Sequence, residues 1–232
     1  MLLAVLLFSS CKKSENPSVK PAFGYGDISY FAKASGTGIK ATAMKTNSIL
    51  SDQVDVDWAS ASIYIEKLSF VGKSNNQIDT TISVERKIDL FSADALAGII
   101  QLPAGSYQDV KVKLFLRKSP KSDLAFYLKG TFLNTYGQQD SLLVASSYPF
   151  EVNLSLADIT INTSDKYKAV FSFDLDKGLT GISTAALQTA RSHGSYNPTN
   201  YVIWKGGSQD VPFYDQVVAN WQNVASVTIT KE

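Results

Sequence analysis

One cysteine and one histidine stand in a chain of 232 residues, and that scarcity removes several chemistries at once. A disulfide framework needs paired cysteines, so none is available. A zinc centre draws three or four ligands from Cys, His and carboxylates, and Cys11 with His193 falls short of the usual set. A nucleophilic triad would have to use His193, which lies in the polar stretch Arg191-Ser192-His193-Gly194-Ser195. That stretch lacks the strand-turn-helix frame of a nucleophile elbow and reads as a solvated loop. Glycine-rich phosphate loops are missing too, and Gly206-Gly207 reads as a turn. Charge of one sign is also lacking: 22 Lys and Arg face 21 Asp and Glu, a formal net charge of +1. No broad field exists to draw nucleic acid, which is not expected as a partner.

What the chain does contain is a hydrophobic fraction of 44%, ordinary for a globular protein and ample for one core at this length. Aromatic residues make up 11%, mostly Tyr and Phe set among Val, Ile, Leu and Thr. That mixture suits a pleated, half-buried surface better than a helix bundle.

Met1 to Phe8 reads MLLAVLLF, followed by Ser9, Ser10, Cys11, Lys12 and Lys13. A spanning helix needs about 20 apolar residues, so this run has instead the length of a signal-peptide core ending in small residues. A buried N-terminal strand is the competing reading. Phe8-Ser9-Ser10-Cys11 resembles the lipobox of bacterial lipoproteins, with Ser9, Ser10 and Cys11 matching and Phe8 replacing the usual Leu. The resemblance implies cleavage before Cys11 and its acylation, so residues 1–10 are expected to be signal peptide. The basic segment that opens such peptides is missing, which puts the expected translation start upstream of Met1. Several acyl chains make a durable anchor, since each buried methylene contributes about 0.8 kcal/mol and one chain alone binds marginally. Residues 11–23, polar and carrying Pro17 and Pro21, are expected to be a tether. The Cys-Lys-Lys-Ser-Glu start looks like lipoproteins of the Bacteroidota type. That implies an outer-membrane lipoprotein facing either the cell surface or the periplasm.

Residues 24–232 are expected to form a single domain with an irregular part from about residue 179. Its dominant pattern has period two. Val110, Val112, Leu114 and Leu116 share a face opposite Lys111, Lys113 and Arg117. Ile82, Val84, Ile88 and Leu90 form another such set, as do Leu124, Phe126, Leu128 and Phe132. So do Leu142, Val144, Tyr148, Phe150, Val152, Leu154 and Leu156, and Ala169, Phe171, Phe173 and Leu175. This alternation marks strands with one wet and one dry face. Ile63 and Ile65 are odd-numbered, whereas Leu68 and Phe70 are even, so a bulge or sheet crossing is predicted at Glu66-Lys67. Turn chemistry separates the strands at Gly72 to Asn76, Pro103 to Gly105, Ser119-Pro120, Tyr136-Gly137 and Asn162 to Asp165.

The expected fold is mainly β: an antiparallel β-sandwich, immunoglobulin-like or prealbumin-like, with one or two short helices. Helical turns are predicted at Ser92 to Ala97, at Ser183 to Arg191 with Ser183 as N-cap, and at Phe213 to Val224 before a final strand from Ala225.

Ile63-Tyr64-Ile65-Glu66-Lys67-Leu68, Ile88-Asp89-Leu90, Leu102-Pro103-Ala104-Gly105-Ser106-Tyr107 and Phe171-Ser172-Phe173-Asp174-Leu175-Asp176 together resemble a family of bacterial lipoprotein domains of unassigned function. The likeness runs from about Tyr25 to Gly178. It implies a surface or periplasmic β-sandwich and carries over no catalytic residue.

Two carboxylate pairs remain as candidate chemistry. Asp55 and Asp57 flank Val56, and Asp174 and Asp176 flank Leu175, each pair on one face of its strand. Hard oxygen ligands in such pairs could hold Ca²⁺. They could also supply the acid and base of a glycosidase if the pairs converged. An ordinary solvent-facing strand edge is the plainer reading of both pairs. Trp58, Trp204 and Trp221 are the large aromatic anchors, and Tyr196, Tyr201 and Tyr214 lie nearby in the C-terminal stretch. Trp204, followed by Lys205-Gly206-Gly207, is expected on a loop, where with Tyr201 and Tyr214 it could contact a glycan or a protein. Packing down over one end of the sandwich is the alternative.

The expected function is a membrane-anchored, non-catalytic binding or adhesion module. The alternatives are a structural subunit that assembles by strand pairing and, last, a carboxylate-based hydrolase.

Overall fold

The two-residue alternation becomes twelve strands in a computed structural model that describes residues 24–36, 53–93, 95–189, 200–205 and 212–232. They are β1 (Tyr25–Ser35), β2 (Asp57–Lys73), β3 (Gln77–Asp89), β4 (Leu96–Pro103), β5 (Gly105–Leu116) and β6 (Phe126–Leu133). After these come β7 (Gln139–Ser146), β8 (Phe150–Ser155), β9 (Ile159–Ile161), β10 (Lys166–Asp174), β11 (Asn200–Lys205) and β12 (Ala225–Lys231). Two short helices, α1 (Thr184–Thr189) and α2 (Tyr214–Trp221), precede β11 and β12.

The strands form two sheets. One has the order β12-β10-β1-β4, and the other β11-β7-β6-β2-β5-β8, with β3 also on β2 and β9 on β5. The 17-residue strand β2 organises the second sheet. Ile63 is flanked by Ile88 of β3 and Phe126 of β6, while Ile65 is flanked by Arg86 of β3 and Leu116 of β5. β5 and β6 therefore lie end to end along one edge of β2, with β3 along the other. Tyr64 marks the junction, donating its N–H to Ala125 O and accepting at its carbonyl from Arg117 N. β8 and β7 continue the same arrangement one strand further out, on β5 and β6 respectively.

The predicted parity change in β2 is a register shift between Ile65 and Lys67 in its pairing with both β3 and β5. Against β5 the extra residue is Glu66, held by Arg117 at 3.1 Å and Lys67 at 3.6 Å, whereas against β3 the extra residue lies on β3, between Ser83 and Arg86. Most pairings are antiparallel, as expected, but β1 runs parallel to β10 and β11 parallel to β7.

The core lies between the sheets. Ile28, Tyr30 and Ala32 of β1 and Ala169, Phe171 and Phe173 of β10 are buried on one side. Val110, Val112, Leu114 and Leu116 of β5, with Phe126, Leu128 and Phe132 of β6, are buried on the other. Trp221 of α2 stacks on Phe126 at 4.2 Å between ring centroids and meets the edge of Phe150. Each such fully buried large side chain contributes about 1.5–3 kcal/mol relative to an exposed one. Leu90 links the sheets, donating to Ala61 O of β2 and accepting from Ala34 N of β1.

The Leu-Pro-Ala-Gly-x-Tyr turn has a physical explanation. Tyr107 folds back so that its hydroxyl donates to Pro103 O at 2.6 Å, and its ring meets Phe70 edge-on at 5.6 Å.

Two expectations need correction. The turns expected at Ser92 to Ala97 end in a strand, not a helix: the Asp89 carboxylate accepts from Phe91 N, making a tight turn, and Leu96 and Ala97 belong to β4. Tyr148, predicted inside by parity, is exposed, because it lies in the turn between β7 and β8 and belongs to neither strand. The C-terminal helices hold. Ser183 Oγ accepts from Ala186 N as the N-cap of α1, and α2 buries Val217 and Trp221 before β12 begins.

Candidate functional site

The backbone brings the two carboxylate pairs to the same end of the sandwich. Trp58, at the start of β2, donates its indole N–H to Asp176 Oδ1 at 3.1 Å, and Gln53 Nε2 donates to Asp176 O. The Asp174 carboxylate faces Lys177 at 3.6 Å. Gly36 passes close against both acids. A Cβ there would lie 2.9 Å from Asp174 Oδ1 and 3.0 Å from Asp176 Oδ2, at a φ of +114° that side chains rarely adopt. Asp55 and Asp57 lie half-buried at the entry to β2, with Asp57 opposite Thr131 of β6. Among the described residues no three Asp, Glu, His or Cys side chains converge as metal ligands. Of the four carboxylates expected to hold calcium, Asp55, Asp57, Asp174 and Asp176, the structure engages Asp176 with the Trp58 indole and Asp174 with Lys177.

The three tryptophans separate by environment. Trp58 and Trp221 are buried, whereas Trp204 is 40% exposed. Trp204 belongs to β11 and not to a loop, since it sits opposite Ala145 in the parallel pairing with β7. Tyr201 and Tyr214, expected beside it as surface contacts, point elsewhere. Tyr201 is half-buried against Phe132 at 5.3 Å between centroids, and burial, then the nearby Asp140 charge, pushes its hydroxyl pKa up. Tyr214 is buried, its hydroxyl shares a hydrogen bond with Ser146 Oγ, and burial raises its pKa as well. Lys205 stands over the Tyr214 ring at 5.4 Å and pairs with Asp215, which ties β11 to α2. Tyr214 thus packs inward, whereas Tyr201 also lines a shallow cavity beside β7. Cys11, His193 and Tyr196 lie outside the described residues.

A different set of side chains accompanies Trp204. Registers across the second sheet place Ser62, Tyr127, Ala145 and Trp204 in one row over β2, β6, β7 and β11. Directly opposed residues share a face, and here it is the outer one, because the alternate positions Phe126, Leu128, Leu142 and Ile203 are buried. The next rows hold Ser60, Lys129, Leu143 and Val202, then Asp57, Thr131, Ser141 and Asn200. A shallow cavity of 260 Å³ opens on this face, lined among others by Tyr127, Lys129, Ser141, Leu143, Asn200 and Val202. Sequence reasoning singled out Trp204 but missed Tyr127 and Lys129. The available signal was an aromatic residue at the outward parity of β6, between buried Phe126 and Leu128.

No protein-family model matches the chain, and no curated protein matches it. Among solved structures it is similar to the crystal structure of a "putative cell adhesion protein" from Bacteroides eggerthii, at 9% identity and a TM-score of 0.27. The match covers 89% of this chain and 55% of that one, so the chain spans about half the length of that protein. A likeness so distant assigns neither fold nor role here.

Proposed function

We propose that the chain is a lipid-anchored, non-catalytic binding or adhesion module of the bacterial cell envelope, carried in the outer membrane by acylated Cys11. The observation that carries this reading is the apolar run ending in Ser9-Ser10-Cys11, followed by a polar, proline-containing tether ahead of a rigid β-sandwich. Acylation would hold the sandwich at the membrane by way of Tyr25, the first residue of β1. The start of β1 faces Pro103 and Lys166. The opposite end of the first sheet, at Ser35 and Asp174, is the end to which Trp58 of β2 is tied. The half of the second sheet built on β6 and β7 pairs with the start of β2 and so lies toward that opposite end, away from Tyr25.

The test is Cys11→Ala in the full chain. Parent protein should incorporate a fatty-acid probe and partition into membranes, and the variant should do neither. Equal labelling and partition would sink the anchor. A strand-pairing subunit is the second reading, favoured by β12, whose neighbour among the described residues is β10 alone. A solution mass that rises with concentration, and falls back when β12 carries a proline, would support it.

A further inference from the structure

We propose that two copies of this chain join antiparallel through β12, extending the first sheet across a two-fold axis at Thr228. This rests on the strand-pairing reading above and specifies its partner and register. β12 bonds to β10 with alternate residues only. Val224 O accepts from Asp174 N, and Glu232 N donates to Lys166 O, at the two ends of a register that contains no shift. Even-numbered residues therefore turn their backbone groups toward β10, and Ala225, Val227, Ile229 and Lys231 turn theirs outward. Among the described residues nothing bonds to those outward groups. Such a row is a template for another strand.

The edges of β4 and β8 are covered. Arg86 of β3 donates to Leu96 O of β4, and the Ile82 side chain lies against Gly98. β8 carries Glu151, whose carbonyl accepts from Gln222 Nε2. β12 has no proline, no bulge and no charge before Lys231, whose ammonium is already held by Asp165 at 2.6 Å. Its sequence, ASVTITK, is rich in β-branched residues.

A second copy is selected because the strand matches itself. Outward residues pair with outward residues, and the alignment that uses all of β12 sets Val227 opposite Ile229 and Ala225 opposite Lys231 of the other copy. Thr228 then meets its own counterpart, as a two-fold contact requires. On the wet face Ser226 meets Thr230 and Thr228 meets Thr228, hydroxyl pairs that favour cross-strand contact. On the core face Val227 and Ile229, half-buried at the rim of the core, cover one another. No like charges stand opposed, since Lys231 faces Ala225. Seven residues give an edge about 24 Å long and one strand wide. That is less than the 800 Å² or so per partner of a standard interface, so the dimer should form reversibly.

The test uses the full chain carrying Cys11→Ala, so that an introduced cysteine is its only thiol. Its mass in sedimentation should rise from monomer to dimer with concentration. Opposed residues of a non-hydrogen-bonded pair have Cα atoms about 4.5 Å apart, close enough for a disulfide. Thr228→Cys should therefore oxidise to a linked dimer. Ser226→Cys should not link to itself, and should link when mixed with Thr230→Cys. Thr228→Lys and Thr228→Glu should each weaken the dimer at least tenfold and regain it when mixed. Their melting temperatures should match the parent's, since Thr228 is exposed. A dimer that ignores the Thr228 variants, or that links through Ser226→Cys alone, overturns the proposal and leaves concentration-dependent association standing. A parent that stays monomeric up to its solubility limit overturns the second copy as occupant. If that monomer binds a strand of another protein, and Val227→Pro abolishes the binding, strand pairing survives with a different partner. If it binds none, the strand-pairing reading falls as well.

Discussion

Leu114 and Lys113 are neighbours in sequence and opposites in environment. Leu114 is fully buried in the second sheet, while Lys113 is half-exposed opposite Ser69 and Asn153. Placing a carboxylate at Leu114 would force an unpaired charge into a core without hydrogen-bond partners. Leu114→Asp should therefore cost about 4 kcal/mol or more, whereas Lys113→Asp should stay within about 0.5 kcal/mol. Urea denaturation of the two variants measures both values, and similar midpoints would mean that the parity of β5 has been misassigned. The same reasoning explains why Trp204 stood out from its own sequence whereas Lys129 did not. An exposed Trp is unusual by itself, but a Lys on the wet face of a strand is ordinary until its neighbours are known.

Strands and turns were legible wherever a local rule governs them. Period-two runs, the shift at Glu66 and the capping Ser183 depend only on residues near one another, and all three are present. The parallel pairing of β11 with β7 depends on residues far apart in the chain, as Ser141 and Asn200 show by sharing a hydrogen bond. No local pattern encodes that pairing, so the row that joins Tyr127 to Trp204 could not be read from the sequence. Another long-range tie lends itself to measurement. Asp165, in the turn before β10, accepts from Lys231 of β12 at 2.6 Å, and also from Asn162 and from the Tyr167 hydroxyl. The hydrogen bond from Lys231, then that from Asn162, lowers the Asp165 pKa, and the same contact raises that of Lys231. A carboxylate with a depressed folded value contributes stability above its unfolded value, near 3.8. That contribution fades as the pH falls through the folded value. For Lys231, raised on folding, the contribution is full below 10.5 and is lost as the pH rises through the folded value. The melting temperature of Asp165→Asn should therefore lie below the parent's at pH 7, with the gap closing under acid. A gap that is the same at pH 3 and pH 7 would show that the pair does not couple β12 to β10.

At the scale of the whole molecule, the order in which strands meet differs from the order in which they are made. β1 pairs with β10 across Asp27 and Lys166, and β10 in turn pairs with β12, the last strand. The first sheet therefore cannot close until the C-terminal strand is available. β2 with β3 and β6 with β7, by contrast, are joined by short turns. The sheets are not independent, however. One continuous core runs through both, Leu90 bonds to β1 and β2, and Trp58 of β2 bonds to Asp176 just past β10. A core shared in this way should unfold as a unit even though its contacts are long-range. Equilibrium unfolding should give coincident transitions from the emission of Trp221, packed on Phe126 of the second sheet, and from far-ultraviolet circular dichroism of both sheets. Refolding should take milliseconds to seconds, the range of β-rich domains dominated by distant pairings, and not microseconds. Two separated transitions, with Trp221 exposed while half the sheet signal persists, would mean that the sheets fold as separate units and that the contacts through Leu90 and Trp58 are incidental.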